Sequence, residues 1–378
     1  MTPGGRADSD TADRDFMQLA LDLAARARGL ASPNPMVGAV VVKDGAVVGR
    51  GYHRRAGAAH AEVEALAEAG ARARGATLYV SLEPCNHHGR TPPCADAVLA
   101  AGVARVVAAV ADPNPRVAGG GGARLRAAGV DVTIGCLAPE ARALNRAFFT
   151  AVCEGRPHVT LKWAMTLDGK IAAYDRQSRW ITGETARAEA HRLRSESDAV
   201  LVGVGTALAD DPALDVRVGT PWPREPFRVV VDSRARLPLS ARMITAGQPS
   251  RVVVAVADAA PAERVARLES LGVMVLPCKS DGGRVDLTDL SARLLSMDVI
   301  AMLVEGGGAL HASFVHAALV DRVAVFLAPK VLGGAESPTP VAGRGLPLSR
   351  ALVLESATSR QVGADWLIEA DVARTESA

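Results

Sequence analysis

The stretches HAEVEAL at 60–66 and LEPCNHHGRTPPC at 82–94 decide the fold of the first half of this chain. Among their residues, four are singled out as candidates for a metal centre: His60, Glu62, Cys85 and Cys94. Zinc prefers imidazole and thiolate ligands, and a catalytic zinc keeps three protein ligands and one position for water. The histidine and the two cysteines are therefore candidate zinc ligands, and two thiolates would balance the charge of the ion.

These motifs lie where predicted strands and helices alternate, which is typical of an α/β layered domain. A helix is predicted from His60 to about Arg74, and another begins at Cys94 after the strand TLYVSL at 77–82. Glu62 then lies in the first turn of its helix, near the water of the metal without being a ligand. A glutamate in that position can take a proton from the water and deliver it to a leaving amine.

The segments on either side extend the same pattern. VGAVVVKDGAVVGRG at 37–51 predicts a β-hairpin, because both residues of its Asp44-Gly45 turn tolerate positive φ. A helix is predicted over 15–28, closed by Gly29. Farther along, the ARLRAAG part of GGGGARLRAAG favours a helix, and we interpret the glycines at 119–122 as a loop.

The spacing of the cysteines departs from the general pattern of zinc deaminases, H-x-E followed by P-C-x-x-C. H-A-E and P-C match, but eight residues separate Cys85 from Cys94. A structural zinc is the alternative, with His87 or His88 as a fourth protein ligand. The polar loop itself is either solvated or, through His87 and Arg90, a binder of phosphate or of a pyrimidine edge.

Composition limits the other possibilities. The 378 residues favour two domains, and 49% hydrophobic residues suffice for two cores. A net charge of +2 and 3% aromatic residues disfavour nucleic acid as the principal partner. The polar segment 1–13 is predicted to be a disordered tail without a signal peptide. The apolar run at 97–111 is shorter than the roughly 20 residues a membrane span needs, and five cysteines suit a reducing compartment. We therefore expect a soluble cytoplasmic protein without membrane contact.

The first half resembles the deaminase half of the bifunctional riboflavin-biosynthesis deaminase/reductases. The resemblance rests on PNPMVGAVVVKDGAVVGRG at 33–51, on the two opening stretches and on ADPNPRVAGGG at 111–121. It implies hydrolytic loss of the 2-amino group from 2,5-diamino-6-ribosylamino-4(3H)-pyrimidinone 5′-phosphate, with Glu62 as the proton shuttle. It also implies zinc ligands and substrate contacts, which are His60, Cys85 and Cys94 for the metal and Asn34, His53, His87 and Arg90 for the substrate. From the residues alone, Asn34 is also explained as a turn residue.

In the second half, LVEGGGAL at 303–310 predicts a buried strand ending at Glu305, three glycines and a helix beginning near Ala309. Glycines let the backbone approach a ligand, and a helix N-terminus offers N–H groups to phosphate. The pattern is not G-x-G-x-x-G, so a Rossmann dinucleotide site is not indicated. Other strands are predicted in HVTLKWAM, AVLVGVG, RVVVDS and RVAVFLA, with a helix over about 184–196 and loop over 334–349.

The segments at 161–172, 178–217 and 303–310 resemble the reductase half of the same family. This resemblance implies a dihydrofolate-reductase-like fold and NADPH-dependent reduction of the ribosyl group to ribityl. The implied substrate contacts are Lys162, Ser178, Arg194, Leu214, Arg217 and Glu305. The implied NADPH contacts are Ala164, Trp180, Thr206, Asp210, Ser233, Gly307, Gly308, Ala309, Leu310, His311, Ala312 and Ser313. Two positions depart from the family pattern, since Thr166 replaces the usual serine and His191 the usual glutamine.

We thus expect an α/β protein of two three-layer domains, cytidine-deaminase-like over 14–150 and dihydrofolate-reductase-like over 157–378. The resemblance also implies a homo-oligomer, dimer or tetramer, assembled through the reductase domain. A nucleic-acid deaminase acting on a flipped base is one rival, opposed by the charge and the few aromatics. A binding protein with a structural zinc and an inactive second domain is another, opposed by the presence of Glu62.

Overall fold

A computed structural model describes the backbone of residues 3–86, 92–114 and 120–373, with side chains from Thr11 onward. The chain divides into two compact units, residues 1–155 and residues 156–378. The domains predicted from the sequence span 14–150 and 157–378. Each unit has its own sheet, and each is described by itself.

The first unit is built on a five-stranded sheet of order β2-β1-β3-β4-β5. Its strands are β1 (Gly38–Lys43), β2 (Ala46–Tyr52), β3 (Thr77–Val80), β4 (Arg105–Ala108) and β5 (Asp131–Ile134). The predicted hairpin is present: Asp44 and Gly45 have φ of 51° and 75° and join the antiparallel pair β1–β2. β1 pairs antiparallel with β3, and β3, β4 and β5 run parallel.

Helices cover both faces of this sheet. They are α1 (Pro3–Ala25), α2 (Ala61–Ala69), α3 (Cys94–Ala101), α4 (Gly120–Ala127), α5 (Ala138–Leu144) and α6 (Arg146–Glu154). Along β1 the side chains alternate between two cores: Val41 packs with the residues of α2 and α3, whereas Val40 packs with those of α1. A strand buried on both faces is typical of a three-layer α/β unit, as the sequence predicted.

The N-terminal helix differs from its prediction. A disordered tail was expected over 1–13, whereas α1 begins at Pro3 and ends at Ala25 rather than at Arg28. Asp13 accepts hydrogen bonds from Tyr79 Oη at 2.7 Å and from two nitrogens of Arg105 at 2.9 and 2.6 Å. The buried Asp13 carboxylate has these hydrogen-bond partners only when the helix packs on the sheet. The polar composition of residues 1–13 therefore did not indicate disorder.

The second unit contains a nine-stranded sheet of order β10-β9-β8-β7-β13-β6-β14-β16-β15 and a small two-stranded one. The strands are β6 (His158–Thr166), β7 (Ala199–Gly203), β8 (Phe227–Val231), β9 (Val252–Ala257), β10 (Met274–Cys278), β11 (Ser280–Asp281), β12 (Arg284–Val285), β13 (Ala301–Gly306), β14 (Arg322–Ala328), β15 (Leu354–Val362) and β16 (Asp365–Val372). Seven strands of the large sheet run parallel, in the order β10, β9, β8, β7, β13, β6 and β14. β16 pairs antiparallel with β14, and β15 pairs antiparallel with β16 at the edge.

Six helices accompany these strands, and apolar clusters lie on both faces of the sheet. They are α7 (Glu184–Ser195), α8 (Val204–Asp210), α9 (Arg242–Thr245), α10 (Ala262–Ser270), α11 (Leu287–Leu295) and α12 (Gly308–His316). The segment 334–347 is irregular, as predicted for this glycine- and proline-rich stretch. Within the ranges described, no helix is long and apolar enough to cross a membrane.

Candidate active sites

Two helix N-termini converge on the predicted metal ligands of the first unit. His60 is the residue that precedes α2, Cys94 is the first residue of α3, and Cys85 lies on the segment after β3. His60 Nδ1 is 3.0 Å from Cys94 Sγ and 3.7 Å from Cys85 Sγ. The three ligand atoms lie within 4.8 Å of one another. In the part of the chain that the structure describes, this is the only His/Cys/Asp/Glu cluster that could hold a metal ion.

The electrostatics of this cluster favour a cation. The Cys94 N–H donates to Cys85 Sγ at 3.3 Å. Hydrogen bonding from the Cys94 side chain, with a further contribution from His60, lowers the pKa of the Cys85 thiol despite burial. The cluster thus favours a thiolate at Cys85, and thiolates are the form that binds zinc. Two sulfurs and one imidazole nitrogen form the three-ligand set of a catalytic zinc site.

Glu62 lies beside this cluster but is not part of it. It sits in the first turn of α2 with only 3% of its surface exposed. Burial raises the pKa of Glu62 to about 6, although His60 opposes that rise. A carboxyl group whose pKa is near the ambient pH can both accept and donate a proton, which general acid–base chemistry requires.

Two of the four candidate substrate contacts lie next to the cluster. His53 Nδ1 is 3.0 Å from the carbonyl oxygen of Ala59, and an N–H there leaves Nε2 as an acceptor. Asn34 Nδ2 then donates to that Nε2 at 3.0 Å. The His53 ring meets the His60 ring edge-on, with centroids 5.5 Å apart. The other two candidates, His87 and Arg90, and the alternative fourth ligand His88 lie outside the described residues.

Sequence reasoning missed the residue that holds the cysteine-bearing segment in place. Glu83 is buried, and its carboxylate accepts N–H groups from Gly122 at 2.8 Å and from Asp112 at 3.3 Å. It therefore fastens both ends of the ADPNPRVAGGG segment to the residues just before Cys85. An acid immediately before the P-C motif, at the end of an apolar strand, was the available signal.

The interpretation of the glycine run at 119–122 as a loop is wrong for its described part. Gly120, Gly121 and Gly122 form the first turn of α4. A Cβ on Gly121 would lie 1.7 Å from the carbonyl oxygen of Pro84. Glycine is required here because the backbone of α4 contacts the segment that carries Cys85. The glycine run therefore marks close packing of two backbone segments, not a flexible connection.

Gly121→Ala is therefore expected to lower the zinc content and to destabilise the first unit by about 2 kcal/mol or more, because backbone must move to relieve the overlap. Gly120→Ala is the matched control: its Cβ would meet Asn86 at an ordinary 3.6 Å. Alanine at that helical position should be neutral or slightly stabilising. Scanning calorimetry and metal analysis of the two variants measure both effects. Equal effects of the two substitutions would contradict the assigned contact.

In the second unit, a buried ion cluster forms at the end of β13. Arg194 donates to Glu305 through Nε at 2.6 Å and Nη2 at 2.8 Å, and Lys162 Nζ is 3.9 Å from Glu305 Oε2. Burial alone would raise the pKa of Glu305, but Arg194 and Lys162 outweigh it and lower that pKa to about 2. Three of the predicted substrate residues thus meet in one place, although 111 positions separate Arg194 from Glu305.

The remaining substrate candidates lie on the segment before β8 and on the loop before α7. Arg194 Nη1 donates to the carbonyl oxygen of Asp215 at 3.0 Å, and Arg217 follows two residues later. Leu214 has φ of 52° and is buried. Ser178 is half-buried.

The predicted cofactor segment begins with a close backbone contact. Gly307 has φ of 82°, and a Cβ there would lie 3.0 Å from Thr206 Oγ1. α12 starts at Gly308, so its first N–H groups are directed toward this region. A glycine turn followed by a helix N-terminus fits a phosphate-bearing cofactor.

Other members of the predicted cofactor set differ in what they can offer. Leu310, His311 and Ala312 bury their side chains, and the His311 nitrogens are 3.0 Å from Pro340 O and 3.1 Å from Val304 O. Ser233 Oγ accepts the N–H of Val285 at 3.1 Å. Trp180, by contrast, is 63% exposed, with the Arg187 guanidinium 4.4 Å from its ring centroid. Ala164, Asp210 and Ser313 are half-buried, and Ala309 is exposed.

These features define the class of protein: a cytidine-deaminase-like zinc-binding domain followed by a reductase domain. Residues 10–110 match the family described as cytidine and deoxycytidylate deaminase zinc-binding region, and residues 157–368 match the RibD C-terminal domain. The chain belongs to the RibD family, the bifunctional deaminase/reductases of riboflavin biosynthesis. The family, the fold class and the bifunctional activity predicted from the sequence are thereby confirmed.

Individual relatives are similar along most of their length. The riboflavin biosynthesis protein RibD of Aquifex aeolicus is 46% identical over 85% of this chain and 88% of its own. The structure of Acinetobacter baumannii RibD superposes with a TM-score of 0.87 at 37% identity, covering 97% of this chain and 100% of that one. A Thermotoga maritima diaminohydroxyphosphoribosylaminopyrimidine deaminase/5-amino-6-(5-phosphoribosylamino)uracil reductase has a TM-score of 0.85 at 34% identity and the same coverage.

Proposed function

We propose that the first unit deaminates 2,5-diamino-6-ribosylamino-4(3H)-pyrimidinone 5′-phosphate, and that the second reduces the ribosyl group of the product to ribityl with NADPH. The observation that carries the proposal is the buried Glu62 beside a three-ligand metal cluster, because a structural zinc has no use for that carboxyl group. The substrates named for the Thermotoga maritima relative support the choice of pyrimidine.

His60, Cys85 and Cys94 would hold one zinc ion per chain, and their donor set fits it. Bound zinc would supply a Lewis acid that makes water a nucleophile at neutral pH. Glu62, with a pKa of about 6, takes a proton on its carboxylate and returns it to the departing amine. Asn34 and His53 are hydrogen-bonded to each other and orient the pyrimidine beside the metal ligands.

His87 and Arg90 complete the proposed pyrimidine and phosphate contacts of the deaminase site. Charge favours this function over the rival nucleic-acid deaminase, because a net charge of +2 and 3% aromatic residues provide little for a polynucleotide.

In the second unit, NADPH would supply the hydride. The glycine turn at Gly307 and the start of α12 fit the phosphates of NADPH. The half-buried Thr206 and the exposed Trp180 would contact the rest of the NADPH molecule. Arg194 and Lys162 offer positive charge to an anionic substrate, while Glu305 keeps both ordered. The further proposed contacts are those with NADPH (Ala164, Asp210, Ser233 and Gly308 to Ser313) and those with the substrate (Ser178, Leu214 and Arg217).

We also propose a cytoplasmic homo-oligomer, dimer or tetramer, assembled through the second unit. β15 forms the edge of the large sheet, and its residues Leu354–Gln361 are exposed. An open edge of that length is a surface that proteins usually cover. Sedimentation velocity of the full chain tests the proposal, and a monomer at micromolar concentration would refute it.

Product mass tests the two activities. Zinc-loaded protein incubated with the diaminopyrimidine substrate should give a deaminated product without NADPH. With NADPH, that product should also gain two hydrogens. Deamination without reduction would refute the function assigned to residues 156–378, and unchanged substrate in both tubes would refute the deaminase function assigned to the metal site.

A further inference from the structure

His191 on α7 occupies a central position between two of the proposed substrate residues. Its Nδ1 is 3.1 Å from the carbonyl oxygen of Asp215, the same oxygen that accepts from Arg194 Nη1. Its Nε2 is 3.2 Å from Nε of Arg217. The imidazole thus joins the buried Arg194–Glu305 pair to the exposed Arg217 guanidinium.

The contacts of the two ring nitrogens favour one form of the ring. Nδ1 is also 3.2 Å from the backbone nitrogen of Arg217, so a proton on Nε2 would satisfy that one N–H group. A proton on Nδ1 satisfies two contacts, because it is donated to the carbonyl oxygen of Asp215 and leaves Nε2 free to accept from Arg217 Nε. Nε2 then presents its lone pair to the Nε–H of Arg217, a bond that exists only while the imidazole is neutral. A second proton on the ring would set N–H against N–H and place two positive charges about 3 Å apart.

We propose that His191 is a positioning residue that orients Arg217 for the anionic part of the reductase substrate, and that it loses this hold when it is protonated. The inference rests on the proposed function in one respect, namely that Arg217 contacts the substrate. The Arg217 side chain is 65% exposed, and its other partner is Asp215 Oδ1, 3.7 Å from Nε. An exposed pair of that length restrains a side chain only weakly. Without the histidine Arg217 therefore samples many rotamers, and ordering it reduces the free energy of substrate binding.

The surroundings of His191 set the pH range of the effect. Burial lowers the pKa of His191, and Arg194 and Arg217 lower it further, against the opposing Asp215 and Glu305. The ring is therefore neutral at pH 7 to 8 and takes up its proton below its usual pKa of 6.5. The charged groups that face it come from α7, from the segment before β8 and from β13: Arg194, Asp215, Arg217 and Glu305.

The test compares the reductase KM for the deaminated substrate at pH 5 and pH 8, with saturating NADPH, in the wild type and in His191→Gln. Glutamine reaches the same neighbours but does not titrate. We expect the ratio of KM at pH 5 to KM at pH 8 to be at least about threefold larger in the wild type, since most of the hold on Arg217 is lost on protonation. The kcat ratio should be equal in both proteins. Titration of the substrate phosphate cancels, because both enzymes use the same substrate.

His316→Gln is the control, since His316 is exposed at the end of α12 and lies outside the proposed site. It should show the wild-type KM ratio. Equal KM ratios in the wild type and His191→Gln, or a wild-type KM that is higher at pH 8 than at the acidic pH, would overturn the inference.

Imidazole NMR provides a measurement that does not need turnover. Arg217→Met removes the neighbouring cation and should raise the pKa of His191. The imidazole resonances of His316 should be the same as in the wild type. An unchanged His191 titration would overturn the inference whatever the kinetics show. Absence of reductase turnover in every variant, with the NMR effect present, would instead overturn the proposed function and the substrate part of the inference.

Discussion

Glu62→Gln is expected to leave zinc bound and to lower the deamination rate by about a thousandfold or more. Glutamine preserves the shape of the buried side chain but cannot take up or deliver a proton, and proton transfer by a positioned group contributes roughly 10²–10⁴-fold. Zinc should remain because the three ligand atoms do not include Glu62. Ammonia release and metal content, measured on the same samples, provide the result.

Glu68→Gln is the matched control, an exposed glutamate at the other end of the same helix that accepts the N–H of Arg50. It should keep full deaminase activity. Both variants should reduce the already deaminated compound at the wild-type rate. If zinc were lost together with activity in Glu62→Gln, the carboxylate would be a structural element of the metal site and the proposed mechanism would be wrong.

Glu305→Gln is expected to have the largest effect in the second unit, lowering its free energy of unfolding by about 3–5 kcal/mol and its reductase activity severely. The substitution leaves Arg194 and Lys162 buried without a negative partner, and breaking a buried pair costs far more than the pair contributes. All four tryptophans of the chain, at 163, 180, 222 and 366, belong to this unit. Tryptophan emission during denaturant unfolding therefore reports on it selectively.

Glu263→Gln provides the comparison, because Glu263 pairs with Arg267 at a similar 2.7 Å but on the surface of α10. Exposed pairs contribute roughly 0–1 kcal/mol. The control should therefore unfold within about 0.5 kcal/mol of the wild type. Similar losses in the two variants would mean that the Glu305 cluster is not a buried, mutually dependent group.

The same carboxylate predicts acid sensitivity. The pKa of Glu305 is about 2 in the folded protein and 4.5 ordinarily. A lowered pKa contributes stability that is fully present above pH 4.5 and is lost as the pH falls toward 2. The loss is worth about 3 kcal/mol. Glu305→Gln should lack this component, so equal dependence of its stability on pH in that window would contradict the assignment.

Local patterns were sufficient to predict the metal cluster. His60 and Cys94 are both placed by helix starts that the sequence marks, and the hairpin at Asp44-Gly45 follows from turn chemistry. The role of Glu83 was not predicted, because the acid before the P-C motif does not reveal that its partners are the backbone N–H groups of Asp112 and Gly122.

The second unit was less predictable from the residues alone, since its site joins distant segments. Arg194 and Glu305 meet because β13 lies between β7 and β6, and strand order depends on long-range packing rather than on local periodicity. β15 was missed because nearly all of its residues are exposed, so the alternation that marks a half-buried strand is absent.

The strand order of the second unit has a consequence for how the protein is made. His158 of β6 pairs with Ala301 of β13, so the centre of that sheet cannot close until the ribosome has released most of the chain. Every strand of the first unit pairs within residues 38–134, and that unit can fold while synthesis continues. A nascent chain should therefore bind zinc well before it can bind a nicotinamide nucleotide. Until the sheet of the second unit closes, its apolar parallel strands stay exposed and accessible to chaperones.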